Sequence, residues 1–333
     1  MQFGPVPIDQ AMGAVLAHSI LLGAVRLRKG MVLGASDIAA LQEAGVSTIV
    51  VARLDGGDIG EDQAASQLAA ALVPSPSAQF LHVTPAFTGR VNLNAAGPGV
   101  VQVDASAVHA LNCVDPAITL ATLAPFTRVV AGTLVGTVKI IAYGVDALAV
   151  SQACALAKAA IRVRPVVLTS AGLILTQVPG QDAKLATKGR RAIEARLRAL
   201  GLTLAQCVTV AHDASAIAGA LARIPGDLVL ILTGSATSDQ YDVAPQALRA
   251  AGGTVIRFGM PVDPGNLLFL GDLSGRPVVG LPGCARSPAL NGADWVLERL
   301  ACGMEVADGD IAAMGVGGLL KEIKVRPQLR EPD

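Results

Sequence analysis

Apolar and polar positions alternate along this chain with two different periods, and the change between them divides it. From Arg164 to about Gly303, short continuous apolar runs alternate with segments whose apolar residues recur every three or four positions. That is the pattern of buried strands followed by amphipathic helices, an α/β layered domain. The pattern predicts strands over 165–169, 203–210, 228–232, 254–258, 267–270 and 277–281. Helices are predicted over 187–200, with Ile193, Leu197 and Leu200 on one face and Gly201 as stop, and from Asp213 through Leu221. Another starts near Pro245, and a last one is capped by Ser287 with Pro288 in its first turn. The run 228–232 reads as a strand buried on both faces.

Before Arg164 the pattern is less regular. Residues 1–75 read as a small α/β unit, in which Ser36 and Asp37 cap a helix carrying Ile38 and Leu41 and ended by Gly45. A β-branched run at 46–51 and an alanine-rich helix over 61–72 follow. Pro74-Ser75-Pro76-Ser77 punctuates the chain as a linker. Residues 76–160 then read as β-rich, with strands over 90–94, 100–104, 118–122 and 135–141, a short helix capped by Asp104, and a helix from Asp146 that bridges to the next domain. Four parts are therefore expected: 1–75, 76–160, 161–303 and a glycine-rich tail at 304–333.

Composition narrows the chemistry. With 52% hydrophobic residues the chain has ample core material. Lys plus Arg equals Asp plus Glu at 26 each, and aromatics are 3%, which argues against bulk-charge nucleic-acid binding or a base-stacking platform. The five cysteines are scattered, with no CxxC, as in reduced thiols rather than a disulfide frame or zinc site. The N-terminus lacks the charge and apolar run of a secretion signal, and every long apolar window is interrupted. The expectation is a cytoplasmic protein with no membrane span.

Three Gly/Pro loops follow predicted strands, at 233–242, 258–266 and 281–288. Loops at the carboxyl ends of strands in an open α/β sheet are where ligands bind. The first, Thr233, Gly234, Ser235, Ala236, Thr237 and Ser238 followed by Asp239 and Asp242, lies between a buried strand and a helix start, a place suited to phosphate. The third carries Arg286, whose guanidinium can grip phosphate oxygens, and a basic segment at Lys184, Lys188, Arg190 and Arg191 could add charge. Each has a plain structural alternative: Asp242 as a helix cap, the basic segment as a solvated helix face, His212 beside Asp213 as a helix entry. Neither GxxxxGK[ST] nor GxGxxG occurs in place.

The segment TGSATSDQYDVAPQAL resembles the Gly-Gly-Thr-Gly … Arg-Asp-Val-Thr-Pro-Glu-Ala stretch of the molybdopterin-binding domain family, which includes molybdopterin adenylyltransferase and molybdopterin molybdenumtransferase. Asp242, Gly234 and Pro245 fall on that pattern. LPGCARSP is similar to the Leu-Pro-Gly-Asn-Pro-Val-Ser loop through Pro282 and Gly283, and GMPVDPGN stands where that family has Lys-Pro-Gly-Lys-Pro. The resemblance covers about 164–303. It implies a three-layer α/β/α molybdopterin-binding domain preceded by smaller α/β and β-rich accessory regions. It also implies a ligand, molybdopterin or the molybdenum cofactor, contacted by residues 233–238, Lys184, Pro264, Gly265, Asn266, Pro282, Gly283, Arg286 and Ser287. Asp242 and Asp239 would be the catalytic acids, with Asp242 on Mg²⁺. VGGLLKEIKVRPQLRE resembles the junction that precedes a cytidylyltransferase domain in two-part bacterial cofactor proteins.

The sequence departs from the pattern where Thr169-Ser170-Ala171-Gly172 stands in place of Thr-Gly-Asp-Glu, and where Ser235 replaces a glycine. Asp182, Asp239 and Asp242 are the remaining candidate carboxylates for a metal-assisted step. The expected role is pterin-phosphate binding in molybdenum cofactor biosynthesis. The alternatives are a Mg²⁺- and nucleotide-dependent adenylyl or molybdenum transferase, or a non-catalytic partner module of a nucleotidyltransferase domain or subunit. A homo-oligomer is expected from the family.

Overall fold

The computed structural model describes residues 1–180 and 182–320, the side chain of Ala183 excepted. The expected junction to a further domain therefore lies mostly outside the described residues. The chain forms two compact units that divide between Pro165 and Val166.

The first unit holds two cores. One joins the strands Gln2–Pro7 and Thr48–Arg53, paired antiparallel, to the helix Ala35–Glu43 through Leu16, Leu33, Leu41 and Val51. That helix is capped at Gly34, whose N–H donates to Asp37. The other core is built on the helix Glu61–Leu72 and a four-stranded antiparallel sheet containing Leu81–Val83, Arg90–Ala95, Ile118–Thr122 and Leu134–Ile140. The exposed Pro74–Ser77 segment thus marks no boundary between cores, because Leu68 and Leu72 before it share one core with Leu81 and Leu93 after it. The helix Ala147–Leu156, expected as a bridge, buries Val150 and Ala153 in this same core. The strand Ile161–Pro165 then pairs with Gly99–Val103 before the chain leaves the unit.

The second unit is a six-stranded mixed sheet. We number its strands β1 (Ser170–Gln177), β2 (Thr203–Ala211), β3 (Leu228–Leu232), β4 (Thr254–Phe258), β5 (Phe269–Leu273) and β6 (Arg276–Leu281). Its helices are α1 (Ala183–Ala199), α2 (Ala214–Leu221), α3 (Val243–Ala250), α4 (Gly292–Ala301) and α5 (Asp308–Ala313). The strand order is β2-β1-β3-β6-β5-β4. Alternation along β3 shows the layering: Leu228, Leu230 and Leu232 join a core with α1, α4 and α5, while Val229 and Ile231 join one with α2 and α3. Helices therefore cover both faces, an α/β layered domain as the strand–helix alternation predicts and in the three-layer form that the resemblance implies. Among the described residues no helix is long and apolar enough to cross a membrane.

Two expectations need correction. The first strand of the sheet is Ser170–Gln177, not 165–169. Asp227 accepts from the backbone N–H groups and hydroxyls of Thr169 and Ser170, pinning the start of β1 beside the start of β3. Thr169 to Gly172 thus opens the strand, and the comparable loop at its carboxyl end starts at Val178. Second, residues 304–320 do not run on as a tail. Val306, Ile311 and Met314 are buried in the α1/α4 core, with α5 among them.

Candidate functional site

Strands β1, β2, β3 and β6 are parallel. β5 runs against β6, and β4 against β5, so β4 points the same way as the parallel set. The loops after β3, β4 and β6 consequently share one rim of the sheet, as does the one after β1. The chain steps from β1 outward to β2 and then back to β3 on the other side, which makes β1/β3 the switch point where a crevice opens.

At that crevice the strand ends are tied by Thr176, which is buried at the end of β1. Its hydroxyl accepts from the Gly234 N–H at 2.8 Å and lies 2.9 Å from Nδ1 of His212 at the end of β2. His212 is thus more than a helix entry. It backs the residue that seats the first loop. Within that loop Thr233 and Thr237 are buried, while Ser235, Ala236 and Ser238 are exposed.

Asp242 caps α3: one oxygen accepts from Val243 N–H at 2.7 Å and the other from Ser238 N–H at 2.9 Å. The first free N–H of the helix is therefore already met by a carboxylate, and the loop is drawn into a closed turn. Asp239 accepts from Tyr241 N–H, and Asp182 caps α1 through Lys184 N–H. All three candidate acids carry local backbone bonds. Among the described residues no group of three His, Cys, Asp or Glu side chains is placed to hold a metal.

The third loop is shaped by a residue that sequence reading passed over. Arg196 of α1 is buried; its Nε donates to Asp294 at 2.7 Å, Nη1 to Ala285 O, and Nη2 to Ser287 O and Ala289 O. One guanidinium thereby holds three carbonyls of the loop and the first turn of α4. That helix starts at Gly292, capped by the buried Asn291, and not at Ser287-Pro288, which follow a 3₁₀ turn over Gly283–Arg286. Asn291 also donates from Nδ2 to Cys284 Sγ at 3.0 Å. The Arg196 signal in sequence is indistinguishable from the neighbouring basic positions of α1.

Arg286 lies half-buried between α1 and the first loop. It donates to Thr233 O and, at 3.3 Å, to Gly283 O, while its Nε is buried without a partner. Gly189 of α1 faces its stem: a Cβ there would crowd Leu232 at 2.7 Å and meet Arg286 Cγ at an ordinary contact distance of 3.5 Å. Burial lowers the guanidinium's pKa, since removal from water disfavours its charge.

Two hollows meet along the third loop. One, of about 600 Å³, is lined by Lys184, Lys188, Arg191 and Arg286. The other, of about 640 Å³, gathers Ala236, Pro264, Gly265, Asn266, Pro282, Gly283 and Ser287 from the expected site, together with Cys284, Asn291 and Leu320. A third, of about 770 Å³, lies at 177–180 and 209–213 around His212. The expected contact residues thus fall on one rim, except that Thr233 and Thr237 turn inward. Arg190 pairs with Glu194 and does not line the basic hollow.

Residues 165–301, which supply all of these loops, match the family described as a probable molybdopterin binding domain. Residues 5–53 match a family described only as a domain of unknown function. Solved structures similar to the chain include the molybdopterin biosynthesis MoeA protein from Pyrococcus horikosii, at 14% identity and TM-score 0.32, covering 92% of this chain and 76% of that one. A molybdenum cofactor biosynthesis protein from Pyrococcus furiosus gives 13% identity and TM-score 0.24, with 94% of this chain and 65% of that one covered. The chain thus spans slightly less than two thirds of the latter. At TM-scores this low the alignments bear on neither fold nor function. No curated protein matches the sequence.

Proposed function

We propose that the second unit binds a molybdopterin-type pterin phosphate on this rim, in the service of molybdenum cofactor biosynthesis. The observation that carries the reading is the match of residues 165–301 to the molybdopterin-binding family, over a segment whose strand-end loops share one rim with Arg286 among them. Arg286 is a partly desolvated cation held by carbonyls, with no carboxylate pairing to it among the described residues. A phosphate arriving there would relieve the cost of burying that charge. Lys184 would add a second counter-charge, with the exposed backbone of Ser235 and Ala236 facing the ligand from the first loop.

Binding is better supported than transfer, because both oxygens of Asp242 are engaged in shaping the loop. If Mg²⁺ takes part, Asp242 supplies one ligand and the remainder come from substrate oxygens and water, as this ion tolerates. Its contribution would be neutralisation of phosphate charge. A nucleotide, and a nucleotidyltransferase domain or subunit that receives the pterin, belong to the same proposal.

The test is oxidative release of pterin from protein purified anaerobically from a host that makes the cofactor. Fluorescent pterin in a stoichiometric amount is the expected result. Its absence, persisting after anaerobic addition of molybdopterin, would discard the reading.

A further inference from the structure

Residues 302–320 lie beyond the matched domain, yet they are built into its rim. After α5 the chain turns at Gly317, whose φ of +84° favours glycine, and residues 318–320 lie along the second loop. Asp263 N–H donates to Gly318 O at 2.8 Å and Leu320 N–H donates to Asp263 O at 2.9 Å, the two bonds of a parallel bridge centred on Leu319. Gly318 is buried, and a Cβ on it would meet Pro261 O at 2.5 Å and Met314 O at 2.9 Å. Only glycine allows this approach without moving backbone. The result is that Leu320 stands in the wall of the 640 Å³ hollow with Pro264, Leu267, Pro282 and Leu290.

We propose that residues 317–320 are a strap that fits this hollow to its occupant, with Leu320 as the specificity-determining side chain. Leu320 completes an apolar wall against which one face of a flat heteroaromatic ring packs. The bonds to Asp263 hold that wall at a fixed distance from the third loop. The identity of the ring rests on the pterin reading above, whereas the role of the strap does not.

The experiment titrates the full chain with 6-hydroxymethylpterin by fluorescence and compares wild type with Leu320→Ala, Leu320→Trp and Gly318→Val, melting curves serving as the fold control. Leu320→Trp is expected to weaken binding by about tenfold or more through steric filling, and Leu320→Ala by roughly fivefold through lost apolar contact. Gly318→Val, which breaks the strap's seat, should match the alanine variant. Equal affinity in folded variants would overturn the proposal. If wild type itself fails to bind this pterin, the ligand reading fails at this hollow and the strap is judged by a second measurement. Cys284 lines the hollow and is exposed, and Cys113 is an exposed thiol of the other unit. Leu320→Trp should slow N-ethylmaleimide labelling of Cys284 relative to Cys113, and an unchanged ratio would refute the strap.

Discussion

Arg286 and Arg196 are both arginines of the rim, but they do opposite work. Arg286 leaves its buried Nε without a partner, and on the proposed reading Arg286→Ala should weaken a phosphorylated pterin by about ten- to a hundredfold, the value of a charge-assisted pair. It should leave 6-hydroxymethylpterin, which lacks the phosphate, nearly unaffected; parallel titrations with the two ligands check this. Arg196 spends its donors on protein acceptors. Arg196→Met strands the Asp294 carboxylate and three loop carbonyls, and should cost about 3–5 kcal/mol in a urea unfolding series. The position of Arg286 on the rim was legible in the sequence because it lies in a Gly/Pro loop that follows an apolar strand. Arg196 was not, since its partners lie 89 to 98 residues away and helix periodicity carries no trace of them. Asp242 shows the limit from the other side, where one residue satisfies a cap and a family pattern at once.

At the level of elements, the alternation of apolar runs with amphipathic helices placed five of the six strands of the second sheet. The first was displaced onto 165–169, because Val166, Val167 and Leu168 look as strand-like as Leu173, Ile174 and Leu175. What separates them is tertiary: β1 pairs in parallel with β2 and β3, and Asp227 fastens its beginning. Four hydrogen bonds to one oxygen hold the Asp227 carboxyl below its usual range, the Thr169 N–H foremost. A depressed carboxylate stabilises the fold fully above its unfolded pKa, near 3.9, and progressively less as pH falls through the folded value. Wild type should therefore lose its advantage over Asp227→Asn as pH is lowered below about 4. Urea midpoints of both proteins at neutral and acid pH measure the difference; a constant gap would show that the carboxylate is not the fastener.

For the whole molecule, the cores divide as the units do. The two cores of the first unit draw only on residues before Pro165, and the two of the second only on residues after it. A fragment of residues 166–333 should fold alone with a single cooperative melt, whereas one ending at 303 loses Val306, Ile311 and Met314 from its core and should unfold at lower temperature or aggregate. Circular dichroism melts of the two fragments decide between a domain that ends at 303 and one that includes the strap.

The grip of Arg196 has one more consequence, for how such a rim could acquire new ligands. Along the third loop it touches carbonyl oxygens and no side chain, at Ala285, Ser287 and Ala289. The path of the loop is thereby uncoupled from its vocabulary. Ala289 and Leu290, exposed beside the held carbonyls, occupy places that can be rewritten with other side chains while the curve of the backbone stays as it is, so the polarity of the rim can drift by single substitutions without the fold having to be solved again.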